Sequence, residues 1–281
     1  MHNAKIILSL IILSHFISDF VLQSNELAKN KMINHHSLIK HGIVVFITSL
    51  GLTFHFFSHQ LLIIISAITI LHITIDLIKI KLEKRYSNFV LFFIIDQIFH
   101  LMVIISFYPK VKYIQVNFLG NYVNRLILES FPVFKSLSLT KEDWAILILI
   151  ISAYIFVWTA GAILVKRVLD KFNFSGNDNE KTIGLISTKI ESNRNNIGEL
   201  IGQLERIVIL TLILCKSLGA ISLVFAAKSI ARFNNFNKQD LADYYIVGTF
   251  ASLLVSLFIG LVLTMIISIY YSGNFILYEV L

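Results

Sequence analysis

The sequence is poor in cysteine, in proline and in charge. Cys215 is the one cysteine, so an internal disulfide is impossible and the redox compartment cannot be inferred from pairing. With 2 prolines in 281 residues, long segments of the chain contain no helix breaker. Charged residues form 15% of the chain, whereas soluble domains contain about 25%. These shortages argue against a water-soluble domain.

Apolar residues dominate what remains, at 56% of the chain with a mean hydropathy of +0.78. Inside a bilayer all backbone polar groups must be paired, which leaves helices and closed barrels. The apolar runs do not alternate as barrel strands do, so the sequence predicts an all-α, polytopic helix bundle in a lipid bilayer. The net charge of +7 lies mostly between apolar runs, which indicates lipid anchors, and no motif supports a nucleic-acid partner.

Seven apolar windows approach the length of about 20 residues that a spanning helix needs. They cover residues 6–22, 43–57, 61–80, 89–107, 145–165, 207–227 and 246–271. Phe118, Tyr122 and Leu126 belong to an amphipathic stripe, which predicts one further helix lying in the interface. The expected divisions are a four-span block (1–107), the interfacial helix and fifth span (108–171), a polar linker (172–191) and a C-terminal membrane block (192–281).

Lysine and arginine in short loops predict the orientation. The first loop contains Lys29, Lys31 and Lys40, the second contains neither residue type, and the third is basic from Lys79 to Arg85. Loops one and three are therefore expected in the cytoplasm and the amino terminus outside. The window 207–227 is basic on both flanks and contains a lysine at its centre, so either it does not cross simply or the rule fails there.

Three of the eight aspartates lie inside apolar windows, and each has a histidine four residues away. The pairs are His15 with Asp19, His72 with Asp76, and Asp96 with His100. Four residues make about one helical turn, so each pair projects from one helix face. Counted from the predicted cytoplasmic ends, all three aspartates lie about one to two turns deep and all three histidines about one turn deeper.

This constellation predicts a metal site within the membrane. The expected ligands are His15, Asp19, His72, Asp76, Asp96 and His100, with Asp19, Asp76 and Asp96 as candidate catalytic acids or bases and Gln23 and His41 as secondary members. A mixed imidazole and carboxylate set suits Zn, Mn or Fe. Two alternatives stay open: the same groups could carry protons or cations, or they could be interhelical hydrogen bonds that hold a bundle together.

The same residues carry a family resemblance. The runs His15-Phe-Ile-Ser-Asp19-Phe-Val-Leu-Gln23, His72-Ile-Thr-Ile-Asp76-Leu-Ile-Lys79 and Asp96-Gln97-x-x-His100 resemble a bacterial membrane family catalogued as a domain of unknown function. The resemblance covers about the first 107 residues, and the C-terminal block resembles longer members through Gly198-x-x-x-Gly202-x-x-Glu205-Arg206. It implies a multi-pass protein of the bacterial cytoplasmic membrane and no established activity. In residue type, the motifs are also similar to those of bacterial membrane-bound metal-dependent hydrolases.

The leading hypothesis is a membrane-embedded metal-dependent enzyme, a hydrolase that acts on a lipid-linked or membrane-associated substrate at the cytoplasmic side. A cation or proton-coupled transporter is the alternative, and a structural or assembly protein is the third. Glu205 and Arg206 are interpreted as interfacial anchors, with phosphate binding as the other interpretation. The sequence does not determine the oligomeric state.

Overall fold

The structure is a computed structural model that describes residues 3–31, 34–86, 88–131, 139–171, 185–231 and 239–271. Within these ranges the regular structure is helical and contains no strand. The chain forms two compact units, Met1–Ser152 and Ala153–Leu281. The predicted all-α class is therefore confirmed.

Eight α-helices occur among the described residues of the first unit, and the last of them continues into the second unit. They are α1 (Ala4–Phe16), α2 (Asn25–Lys31), α3 (His35–Leu52), α4 (His59–Arg85), α5 (Phe89–Ser106), α6 (Tyr108–Val111), α7 (Phe118–Ser130) and α8 (Lys141–Trp158). A π-helical turn, Ile17–Val21, extends α1, and a 3₁₀ turn, Phe54–Phe56, precedes α4. Helices α3, α4 and α5 begin at side-chain caps: Asn34, Ser58 and Asn88 accept backbone N–H groups of their first turns.

The second unit contains α9 (Ala160–Lys171), α10 (Leu185–Leu214), α11 (Ala220–Ala231) and α12 (Gln239–Tyr270). Helix α10 begins within the segment predicted as a polar linker, of which residues 172–184 lie outside the described ranges. Helices α9 and α10 pack against α12, and Ile209, Ile213 and Ile221 form the buried apolar cluster between helices.

Five helical segments in the described part of the chain are long and apolar enough to cross a membrane. They are Ala4–Val21, His59–Arg85, Phe89–Val111, Lys141–Lys171 and Ala242–Tyr270. These segments identify the chain as an integral membrane protein. Window 43–57 does not join them, because its helix begins at His35 and includes three histidines and Lys40, which lower its hydropathy.

The helix over the window 207–227 is interrupted, which agrees with the alternative that this segment does not cross simply. Helix α10 ends at Leu214, Lys216 adopts a left-handed φ of 56°, and α11 begins at Ala220. The N–H of Ser217 donates to the carbonyl of Leu212 (2.8 Å), and that of Lys216 donates to Ile213 (3.0 Å). This pattern is a Schellman C-cap, here with lysine at the position that usually holds glycine.

The apolar core of the first unit lies directly beside the polar residues of interest. Ile11, Ile68 and Ile104 are buried in one cluster contributed by α1, α4 and α5. Each isoleucine is four residues from a histidine of a predicted pair, on the side away from the aspartate. All three helices therefore present isoleucine, histidine and aspartate in the same order along the bundle.

The close packing of α12 on α10 in the second unit can be tested by substitution of a glycine. A Cβ added at Gly260 would lie 2.8 Å from Cγ2 and 3.2 Å from Cβ of Ile213, and rotation of Ile213 cannot move its own Cβ. We expect Gly260→Ala to destabilise the protein by about 1–3 kcal/mol. Gly248→Ala, in the same helix, adds only ordinary contacts at 3.6 Å and serves as the control. Thermal unfolding in detergent measures both, and an unchanged midpoint for Gly260→Ala would contradict this packing.

Candidate metal centre

Three helices bring the predicted pairs to one level of the bundle. His15, His72 and His100 are each at most 3% exposed. Their rings contact one another: His15 stacks on His100 with centroids 4.9 Å apart, and the His72 and His100 centroids are 4.1 Å apart. Asp76 and Asp96 are buried one turn away along α4 and α5. All six predicted ligands therefore belong to a single cluster.

A π-helical turn determines where Asp19 points. The N–H of Leu22 donates to the carbonyl of Ile17 (2.8 Å), which widens the helix by one residue at this turn. Asp19 Oδ1 lies 3.7 Å from Nδ1 of its pair partner His15, but 3.3 Å from His41 Nε2 and 3.5 Å from His72 Nε2. The carboxylate thus faces helices α3 and α4 more closely than its own helix.

His41, expected as a secondary member, lies at the centre of the cluster and is fully buried. Its Nε2 is 3.0 Å from His72 Nε2. Together with Asp19 Oδ1, these nitrogens form a triangle with sides of 3.0, 3.3 and 3.5 Å. In a tetrahedral site with bonds of about 2.0–2.1 Å, neighbouring ligand atoms lie about 3.3–3.4 Å apart. The triangle has the size of one face of such a site.

Asp76 lies beside this triangle. Its Oδ2 is 3.8 Å from Nε2 of both His41 and His72, so these three residues also form a group that could hold a metal ion. A third such group consists of Asp76, Asp96 and His100. The cluster therefore offers more ligands than one zinc ion requires.

Hydrogen bonds fix which nitrogen of His100 carries the proton when the ring is neutral. Nδ1 lies 2.8 Å from the backbone oxygen of Asp96, which can only accept, so Nδ1–H is the donor. Nε2 then carries a lone pair, yet its neighbours are the carbonyl oxygen of His72 at 3.4 Å and Asp76 Oδ1 at 4.0 Å. A lone pair facing oxygens is repelled unless a cation or a proton lies between them.

His15 has the same arrangement on α1. Gln97 donates through Nε2 to Asp96 Oδ2 (3.0 Å), which directs its Oε1 toward His15 Nε2 at 3.3 Å. Nε2–H is therefore the donor, and Nδ1 presents its lone pair to Asp19 Oδ1 at 3.7 Å without a hydrogen bond of its own. Two neutral imidazoles would thus direct lone pairs at carboxylates, so each of these positions suits either a bound cation or an added proton.

Two lysines neutralise part of the carboxylate charge. Lys31 Nζ donates to Asp76 Oδ2 (2.6 Å) and to Gln23 Oε1 (3.1 Å), and Lys79 Nζ donates to Asp96 Oδ2 (2.8 Å). With neutral histidines, the three carboxylates and two ammonium groups give the cluster a net charge of −1. The cluster is accordingly an attractive environment for a cation.

The sequence analysis did not assign Lys31, Lys79 or Gln97 to the site. Lys79 follows Asp76 by three residues on one helical face, which is a signal for proximity. Lys31 had no such signal, because it lies on the short helix α2 whose position over the cluster depends on the fold. Gln23 contacts Lys31 at the margin of the cluster, while no described contact joins Gln23 to a histidine.

A small cavity adjoins the imidazoles on the side of the apolar core. Ring atoms of His15, His72 and His100 line it, together with Ser14 and Ser49, whose hydroxyl groups are 2.9 Å apart. Its remaining lining is aliphatic and comes from α1, α3, α4 and α5. The ligand cluster therefore borders open space within the bundle.

A known protein family matches the first part of the chain. The model of a family described as "Protein of unknown function (DUF3307)" matches residues 7–127, and this range contains all the cluster residues described above. The second unit lies outside the match, so its resemblance to longer family members stays a prediction. No curated protein and no solved structure matches the chain.

The ion pair between Lys79 and Asp96 provides a test of this electrostatic arrangement. Asp96 has a side chain that is 1% exposed, so Lys79→Met leaves a buried charge without its partner. We expect the substitution to lower the free energy of unfolding by about 3 kcal/mol in the presence of a chelator. Adding Asp96→Asn should restore most of the loss, and Lys81→Met, on an exposed position of the same helix, should have little effect. Equal thermal midpoints for the Lys79 and Lys81 variants would contradict the pairing.

Proposed function

We propose that this chain is a membrane-embedded, metal-dependent hydrolase that acts on a lipid-linked or membrane-associated substrate at the cytoplasmic side. The observation that supports it most directly is the buried triangle of His41 Nε2, His72 Nε2 and Asp19 Oδ1, whose sides measure 3.0–3.5 Å. Catalytic zinc sites typically use three protein ligands and keep a fourth position for water or substrate. Zn, Mn and Fe all suit this mixed ligand set.

A bound cation would act as a Lewis acid and would lower the pKa of a coordinated water. Asp76 would serve as the general base, because its Oδ2 lies 3.8 Å from both imidazole nitrogens and so borders the open position. Lys31, which donates to that same oxygen, would fix the orientation of the carboxylate. His100 and His15 would accept protons through the lone pairs that face Asp76 and Asp19.

The location of the cluster within apolar helices supports a substrate with an anionic or ester group attached to an apolar tail. The ammonium groups of Lys31 and Lys79 provide positive charge on one side of the cluster. The same proposal places the lysine side in the cytoplasm of a bacterial cell and the amino terminus outside, following the lysine distribution of the loops.

Metal analysis of the purified protein tests the first step of this proposal. We expect about one Zn, Mn or Fe ion per chain after purification in mild detergent, and at least about tenfold weaker binding in His41→Ala and in His72→Ala. His36→Ala, at an exposed position near the start of α3, is the matched control. Absence of copurified metal, together with no binding on titration of a folded protein, would refute the metal centre.

Turnover tests the second step. Protein in liposomes should release product from phosphate or carboxylate esters of lipids only when the metal is present, and Asp76→Asn should lower kcat by about 100-fold or more while the metal stays bound. Glu83→Gln, two helical turns further along the same face of α4, provides a comparison outside the proposed ligand set. Metal binding without turnover of any lipid ester would exclude the hydrolase but retain the metal centre.

A cation or proton-coupled transporter is the second candidate, and one observation favours it. Titratable groups form an unbroken series through the cluster, from Lys31 to Asp76, to the His41 and His72 pair, and to Asp19. Such series within membrane spans commonly conduct protons or bind coupling ions. Metal or proton flux into proteoliposomes without ester turnover would select this candidate. If substitutions destabilise the fold and neither metal nor flux is found, the cluster holds the bundle together.

A further inference from the structure

The second unit contains a buried arginine that has no role in the cluster just described. Arg206, on α10, is 2% exposed. Its Nε donates to the carbonyl of Val157 (2.9 Å), and its Nη1 donates to Ser252 Oγ (2.9 Å). Nη2 is buried and has no hydrogen-bond partner among the described residues. A guanidinium group has five N–H donors, so this one is only partly satisfied.

No carboxylate of the described residues forms an ion pair with Arg206. The adjacent Glu205 forms its ion pair with Lys228, and the charges of these two side chains cancel each other. A buried cation without a counter-ion is unfavourable, and Arg remains charged in proteins. Glu205 and Glu199 act on the guanidinium group from farther away, but among the described residues no carboxylate lies within ion-pair distance of it.

The arginine lies where a membrane-spanning segment is interrupted. Helix α8 ends at Trp158, and α9 begins at Ala160, within the candidate span Lys141–Lys171. Val157 is near the middle of that span, roughly 20 Å from either end at the rise of an α-helix. Broken helices at mid-span are typical of binding sites, since the amino end of the second half-helix carries partial positive charge.

Small residues make room around the guanidinium group. A Cβ at Gly161 would lie 3.1 Å from Nε, and one at Gly202 would lie 3.4 Å from Nη1. Thr249, one helical turn before Ser252 on α12, has a buried hydroxyl group without a partner. Unsatisfied donors of two kinds thus occur on adjoining faces of α10 and α12.

We propose that Arg206, Ser252 and Thr249 form a binding site for an oxyanion, a carboxylate or phosphate group, at the break between α8 and α9. A planar guanidinium pairs with either group through two parallel hydrogen bonds. The anion would supply the missing counter-charge, and the hydroxyl groups would bind its remaining oxygens. The site is separate from the His/Asp cluster, so it stands whether or not that cluster binds metal.

The test uses the full chain in nanodiscs of phosphatidylcholine. The probes are inorganic phosphate and acetate, each compared with chloride at equal ionic strength, and the readout is the thermal unfolding midpoint. We expect a saturable rise with phosphate, with acetate or with both. Arg206→Gln should raise the half-saturating concentration by about 10- to 100-fold, whereas Lys166→Gln, an exposed cation of α9, should leave it unchanged.

Thr249→Val is the second variant, and it keeps the test decisive if Arg206→Gln does not fold. It leaves both hydrogen bonds of Arg206 in place. It should weaken binding several-fold without lowering the midpoint in chloride. In another outcome, the midpoint rises only when the nanodisc contains phosphatidylglycerol. If Arg206→Gln or Thr249→Val reduces that rise, the bound phosphate belongs to a lipid headgroup. The proposal is overturned if no probe raises the midpoint saturably, or if the midpoint rises equally in the variants. Arg206 would then have a structural role, as a hydrogen-bond donor to the helix break.

Discussion

The structure depends on compensation of three carboxylates that are buried within apolar helices. A lone carboxylate in such surroundings costs several kcal/mol, so each must have cationic or donor partners close by. Asp76 and Asp96 receive lysines, at 2.6 and 2.8 Å. Among the described residues, the partners of Asp19 are imidazoles and the hydroxyl of Ser18. The carboxylate without a lysine partner is therefore the one that forms a corner of the proposed metal triangle.

The second unit has the opposite imbalance. There a cation, Arg206, is buried with neutral partners, and the neighbouring acid is paired elsewhere. Each unit thus buries a charged group that its described neighbours neutralise incompletely, a carboxylate in the first unit and a guanidinium group in the second. Such a group is more informative about function than the well-paired residues around it.

The sequence predicted those features that follow from helical periodicity. Pairs of histidine and aspartate four residues apart on antiparallel spans had to share a face and a depth, and the structure places all six in one cluster. It did not predict the π-helical turn at Ile17–Val21, since no residue type marks an extra residue within a turn. The importance of His41 was also underestimated, because it has no aspartate at four-residue spacing and its contacts come from α3 packing on α4.

The helix break before α11 was only partly predictable. Lys216 inside an apolar window indicated that the span was unusual, but lysine seldom adopts a left-handed conformation and gave no sign of a C-cap. Arg206 was interpreted as an interfacial anchor because it ends a polar stretch in the sequence. Its burial results from the approach of Val157 and Ser252, which are 49 and 46 residues away along the chain.

The two lysines of the cluster differ in how they are attached to the bundle. Lys79 belongs to the 27-residue helix α4, whereas Lys31 ends α2, a helix of 7 residues outside the candidate spans. Movement of α2 would withdraw one positive charge and change the cluster from −1 to −2 without disturbing any span. The position of α2 therefore determines how much negative charge the cluster presents.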